Sequence, residues 1–196
     1  MKELDCGKLI KAYDLAARQH RNQRRKDLDA SPYINHPISL PAILWEVGGV
    51  RDVDVLIAAV LHDTLEDTVD QGSEADRVLQ AEIVTAFGRE VLELVLAVTD
   101  DKLVEKSQRK LLQIQKAPTI SPKAKLIKLA DKISNVMDVC DNPPSGWDLE
   151  RRIKYLAWAR AVVDAAQADS NELNAMFQKV YSQGMEKLLR EQTGSI

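Results

Sequence analysis

Apolar side chains recur at helical spacing along nearly the whole chain. Leu9, Ala12, Tyr13, Ala16 and Ala17 form one stripe, on a first helix predicted to run to about Gln23. The stretch "RNQRRKDLDASPYINHP" has no such stripe, and its prolines and polar residues predict an irregular loop. Pro37 can open a second helix, which Gly48 and Gly49 end. Asp52 is placed to cap a continuous helix through "DVLIAAVLHDTLEDT", held in the core by Leu56, Ile57, Val60, Leu61 and Leu65.

"VDQGSEAD" reads as a loop, with Ser73 and Asp76 at capping-box spacing for the next helix. Gly88 breaks that helix, "REVLELVLAVTDD" starts another, and "KSQRKLLQIQKA" is a further one. Ser121 and Pro122 open a helix whose buried stripe is Leu126, Ile127, Ala130, Ile133 and Met137. After the break "DNPPSG", Asp148 caps a helix to about Ala168, and a last one covers about Asn171 to Arg190 before a fraying tail. No linker divides the chain, so the expectation is one all-α domain over residues 1–196.

Composition adds little. A net charge of −3 gives no global reason to expect nucleic-acid or membrane binding, and no apolar run is long enough to span a bilayer. Cys6 and Cys140 match no zinc spacing and, with no signal peptide, suggest a reducing, cytoplasmic setting.

The chemistry is concentrated where the apolar run "LIAAVL" meets His62, Asp63, Glu66 and Asp67. On a continuous helix His62 stacks near Glu66 and Asp63 near Asp67, so all four face one place. A buried carboxylate needs compensation. Imidazole and carboxylate are common ligands of a divalent metal, which would supply it. The pair alone does not complete a site. Of the other two histidines, His36 lies in "YINHP" and His20 reads as a surface residue without a role. Asp131 lies beside the apolar stripe of "KLADKISN", one turn before Asn135, and is also free to pair with Lys128 or Lys132 on a solvated face.

Together, "YINHP", "AAVLHDTLEDT", "FGREVLELVLAVTDDK" and "KLIKLADKISN" resemble the HD-domain hydrolases of the RelA/SpoT type. The resemblance is greatest to the stand-alone small alarmone hydrolases, the group that includes the metazoan SpoT homologue. It covers about residues 12–158, with C-terminal helices over about 148–190.

The resemblance implies one divalent metal, usually manganese, on His36, His62, Asp63 and Asp131, with Glu66 as principal base or orienter of water and Asp67 assisting. It implies a small-molecule nucleotide substrate, ppGpp or pppGpp, losing its 3′-pyrophosphate to give GDP or GTP. Arg25 and Lys26 would lie at the nucleotide site, Asn135 at the nucleoside, Lys102 and Arg151 at phosphate, and Tyr155 on the same wall. The alternative is an HD-domain phosphatase of another nucleotide, such as NADPH. No synthetase activity is expected. The connector over residues 69–86 is longer than in compact relatives and is expected to shape substrate access or form an extended loop and helix start.

Overall fold

The computed structural model describes residues 5–194. Among them the helices are α1 (Cys6–Gln19), α2 (Asn35–Glu46), α3 (Val53–Leu61), α4 (Thr64–Asp67), α5 (Glu74–Phe87), α6 (Arg89–Val98), α7 (Lys106–Lys116), α8 (Pro122–Asp141), α9 (Leu149–Ala166) and α10 (Asn171–Thr193). No strand occurs among these residues; one isolated antiparallel bridge joins Arg24 and Pro32. The fold is all-α. The expected frayed tail falls partly on residues 195–196, which lie outside the described residues.

Side-chain caps set most of the helix starts. Asp52, Ser73, Ser121, Asp148 and Ser170 each accept a backbone N–H from the first turn of the helix they precede. Gly88, at φ +100°, turns the chain between α5 and α6 in a conformation other residues rarely adopt.

α3 is apolar all round, and Val55 through Leu61 are each at most 1% exposed. Such a helix belongs in the centre. It packs against α1, α2, α6 and α8, while α10 covers α8 and α9. α7 packs on α9 around a small second cluster of Ala117, Val162 and Ala166.

Three expectations fail locally. The first helix ends at Gln19, because His20 turns inward and caps it. Ala17 is exposed and Leu15 takes its place in the stripe. Met137 is exposed and lines a cavity. The basic stretch is a loop as expected, held by Asp27, which accepts from the Ser31 backbone N–H (3.0 Å) and hydroxyl (2.5 Å), and by Arg25 N–H, which donates to Ser31 O.

The most consequential difference concerns the helix carrying the HD pair. α3 stops at Leu61, and His62 and Asp63 form a turn before α4. The His62 ring donates from Nδ1 to the Ala59 carbonyl at 2.9 Å, the acceptor that the Asp63 N–H would use if the helix continued. The stacking of His62 on Glu66 and of Asp63 on Asp67 is therefore replaced by a divergent set.

The connector is mostly helix. Asp76 caps the Gly72 N–H, Glu82 pairs with Arg18, and α5 packs on α6. Gln71 ties it to the loop after α6, donating to Asp100 O and accepting from Lys102 N–H.

At Gly184, α10 passes so close to α8 that an added Cβ would lie 2.5 Å from Cys140 Sγ. Gly184→Ala should therefore destabilise by about 1–3 kcal/mol, although helix propensity alone favours Ala by about 1 kcal/mol. Urea unfolding checks this. Most of the loss should return in the Gly184→Ala, Cys140→Ala double variant; a stabilised single variant would contradict the close contact.

Candidate active site

His36, His62 and Asp131 each offer a ligand-type atom, all within 4.8 Å of one another. They come from α2, the turn after α3, and α8. His36 Nε2 lies 3.2 Å from Asp131 Oδ1, and His62 Nε2 lies 3.8 Å from the same oxygen. Asp63 Oδ2 is 2.9 Å from His62 Nε2 and 3.8 Å from His36 Nε2. The mutually close group is thus His36, His62 and Asp131, and Asp63 adjoins it through its approach to the two rings.

The His62 Nδ1–H bond to a carbonyl leaves Nε2 as the atom turned inward. Buried Nε2 has no partner in hydrogen-bonding geometry, despite its short approach to Asp63. An orphaned buried nitrogen facing carboxylate oxygens fits a cation better than it fits a packed core.

The electrostatics agree. Burial disfavours both aspartates as anions, yet both are held below the usual carboxylate range. For Asp63 the opposing influences are the His62 and His36 imidazoles; for Asp131 they are Lys132 and the same two rings. Burial would likewise lower His62, but Asp63 and Asp131 raise it to about 9. Lys132 Nζ sits 2.8 Å from Asp131 Oδ2, buried and over the Trp158 ring. Asp131 does pair with Lys132, but inside the protein and not on a solvated face. The group draws positive charge to itself.

Glu66 and Asp67 flank this centre on separate supports. Glu66 Oε2 accepts the Asp100 backbone N–H at 2.9 Å, and Arg109 lies 3.8 Å from Oε1. Burial, opposed by that N–H and reinforced by Asp63, Asp100 and Asp67, raises the Glu66 carboxyl to about 7. Asp67 accepts from Gln23 Nε2 at 2.9 Å and from Lys102 Nζ at 2.5 Å.

His20 is buried, correcting the surface reading. Its Nδ1 is 2.6 Å from Gln23 Oε1, behind Asp67, and its ring packs on Tyr33. Tyr33 in turn donates to Asp63 Oδ2 at 2.5 Å. Gln23, Tyr33 and Ser134, which lies 3.1 Å from His36 Nδ1, were all missed from sequence. The aromatic in "YINHP", two residues from the histidine, and the glutamine in "RNQRR" were available signals.

A 170 Å³ cavity contains the His/Asp centre, and an 850 Å³ cavity shares Tyr33, His36, Asp67 and Asn135 with it. Arg25, Lys26 and Tyr155 line the larger one. Arg25 is paired with Asp138 and lies 5.6 Å from the Tyr33 ring centroid. Asn135 donates to Asp131 Oδ1 at 2.5 Å, so here it supports the centre. Burial, and secondarily Asp131 and Asp138 against Lys132 and Arg25, pushes the Tyr155 hydroxyl up to about 12.

Lys102 is engaged with Asp67, and Arg151 is exposed over Trp147; neither lines the cavities. Lys106 and Lys110, missed from sequence, face Arg151 and are depressed by partial burial and then by neighbouring cations. Among the described residues Lys26, Lys106, Lys110 and Arg151 have no carboxylate in ion-pair range. Cations that repel one another without a counter-charge suit an anionic ligand.

The HD-domain family model matches residues 12–160, and those residues include His36, the His62–Asp63 pair and Asp131. The chain belongs to the HD-domain family. Among relatives of this HD-domain chain, the guanosine-3′,5′-bis(diphosphate) 3′-pyrophosphohydrolase MESH1 of Homo sapiens is 44% identical over 91% of this chain and 96% of its own length. The Drosophila melanogaster protein of the same name is 42% identical over 93% and 98%. A solved structure of a metazoan SpoT ortholog that hydrolyses ppGpp superposes with a TM-score of 0.82 at 42% identity, covering 90% of this HD-domain chain and 94% of the other.

A folded-state Glu66 carboxyl near 7, against an ordinary 4.5, makes the ionised form a burden on the metal-free fold. The sign follows: the favourable protonated state is fully present below about 4.5 and is lost as pH rises through 7. Glu66→Gln keeps the acceptor for Asp100 N–H without the charge. The metal-free variant should be more stable than wild type at pH 8, by up to about 3 kcal/mol, with little difference at pH 4.5. Equal pH dependence of urea unfolding in the two proteins would contradict this account of Glu66.

Proposed function

We propose that this chain hydrolyses the 3′-diphosphate of guanosine 3′,5′-bis(diphosphate), ppGpp or pppGpp, releasing pyrophosphate and GDP or GTP. The observation that carries the reading is the meeting of His36, His62 and Asp131, with Asp63 against the two rings, in a small cavity beside a larger one lined by Arg25 and Lys26. The relatives that share this sequence over nine-tenths of its length carry that activity in their names.

His36, His62, Asp63 and Asp131 would hold one divalent metal, and manganese is the ion the RelA/SpoT resemblance implies. When bound, such an ion supplies polarisation of a phosphoryl oxygen and a lowered pKa for water. Glu66, with its carboxyl near 7, is suited to take a proton from the attacking water at neutral pH. Asp67, held on both oxygens by Gln23 and Lys102, orients that water.

The oxygen of water adds to the phosphorus on the 3′ oxygen, and the bond between them breaks. Glu66 receives the water proton, the leaving 3′ oxygen takes one proton from solvent, and Glu66 then releases its proton to solvent, so no net proton is consumed. Lys26, Lys106, Lys110 and Arg151 offset the negative charge of the diphosphates. Arg25, Tyr155 and Asn135 face the nucleoside in the larger cavity. Among the described residues no helix is long and apolar enough to cross a membrane.

The test is product identification with labelled ppGpp and Mn²⁺. GDP and pyrophosphate should appear in equal amounts and only with metal present. Glu66→Gln and Asp131→Ala should each lower kcat by about 10²-fold or more while circular dichroism stays unchanged. Full turnover by a folded Asp131→Ala protein would overturn the site assignment. A higher kcat/KM for phosphate release from NADPH would overturn the substrate.

A further inference from the structure

We infer that Ser39 and Ser134 form a hydroxyl relay that fixes the tautomer of His36 and so turns its Nε2 lone pair toward the cation site. The inference rests on the reading of His36 as a ligand and adds two positioning residues to it.

Ser39 Oγ is 2.8 Å from the His36 backbone carbonyl, which can only accept, so the single Ser39 proton is committed there. Ser39 Oγ is also 2.9 Å from Ser134 Oγ, and with its own proton committed it accepts from Ser134. The Ser134 proton is then committed as well. At 3.1 Å from His36 Nδ1, Ser134 Oγ can only accept, and Nδ1 must carry the hydrogen. In a neutral imidazole this leaves Nε2 with its lone pair. That Nε2 is the atom 3.2 Å from Asp131 Oδ1 and 3.8 Å from Asp63 Oδ2.

The circuit starts at the His36 ring and closes on the His36 backbone, so α2 and α8 are tied at the ligand itself. His62 reaches the same tautomer through one bond to the Ala59 carbonyl. The two imidazoles are thus oriented by different means. Only the His36 arrangement depends on side chains, and of these His36 and Ser134 are buried while Ser39 is half-buried.

Outer hydrogen bonds of this kind typically change metal affinity by about 10–100-fold. Free Mn²⁺, followed by electron paramagnetic resonance during titration of the full chain, reads affinity without turnover. Ser134→Ala should weaken binding in that range, Ser134→Thr should restore most of it, and Ser39→Ala should fall between. In Ser39→Ala the released Ser134 proton can point at Nδ1 and admit the other tautomer.

The ¹⁵N shifts of His36 in the metal-free wild type at pH 8 give a second readout that needs no variant. They should show hydrogen on Nδ1, and a ring with hydrogen on Nε2 alone would overturn the relay even if the serine variants failed to fold. Wild-type Mn²⁺ affinity in Ser134→Ala would overturn it too. Loss of affinity in His36→Ala but not in Ser134→Ala sinks the relay alone, whereas wild-type affinity in His36→Ala sinks the ligand assignment beneath it.

Discussion

Two aspartates and two imidazoles withdrawn from water into the end of an apolar helical core set the terms for the rest of the molecule. Removing charged groups from water costs several kcal/mol each unless they are compensated. Here compensation is spread over many groups: Lys132 on one oxygen of Asp131, Asn135 on the other, the Tyr33 hydroxyl on Asp63, and the two rings between them. Each of those groups sits on an element whose place is fixed by the core around α3. The packing of a helix that is buried on every side is therefore what holds the chemistry in register.

The break after Leu61 follows from the same constraint. By capturing the Ala59 carbonyl, His62 ends the helix and turns its own Nε2 inward. The acidic residues beyond then separate into three directions: Asp63 to the centre, Glu66 to the loop at Asp100, and Asp67 to Gln23 and Lys102. A carboxyl near neutral pKa and a carboxylate held by two donors, both beside a group that attracts cations, make an arrangement suited to moving a water proton. Among the described residues Lys106 and Lys110 of α7 have no carboxylate in ion-pair range, so positive charge lies apart from the buried anions, a distribution that suits a multiply charged anion.

Much of this was legible before any coordinates. The helical period, the caps at Asp52, Ser73, Ser121 and Asp148, and the breaks at Gly88 and "DNPPSG" are local signals, and local physics decides them. The four-residue centre was legible because its motifs occur in a recognisable order, not because any single HD pair is specific. What escaped depends on contacts distant in sequence. His20 lies far from Asp67 along the chain, and only the closure of the 21–34 loop brings Gln23 between them. The phosphate-side cations were misplaced by a few residues: Lys102 is drawn to Asp67 by the Gln71 tether, leaving Lys106 and Lys110 on the first turns of α7 with no counter-charge. Periodicity also misread Met137, whose position fits an apolar stripe but opens onto a cavity.

The proposed chemistry requires one cation at the point that the His36, His62, Asp63 and Asp131 ligand atoms surround. Anomalous X-ray scattering from crystals grown with Mn²⁺, collected on both sides of the manganese edge, measures this directly. The arrangement predicts one dominant peak within bonding distance of His36 Nε2, His62 Nε2 and oxygens of Asp63 and Asp131. No peak there, or a stronger one elsewhere in the molecule, would contradict it.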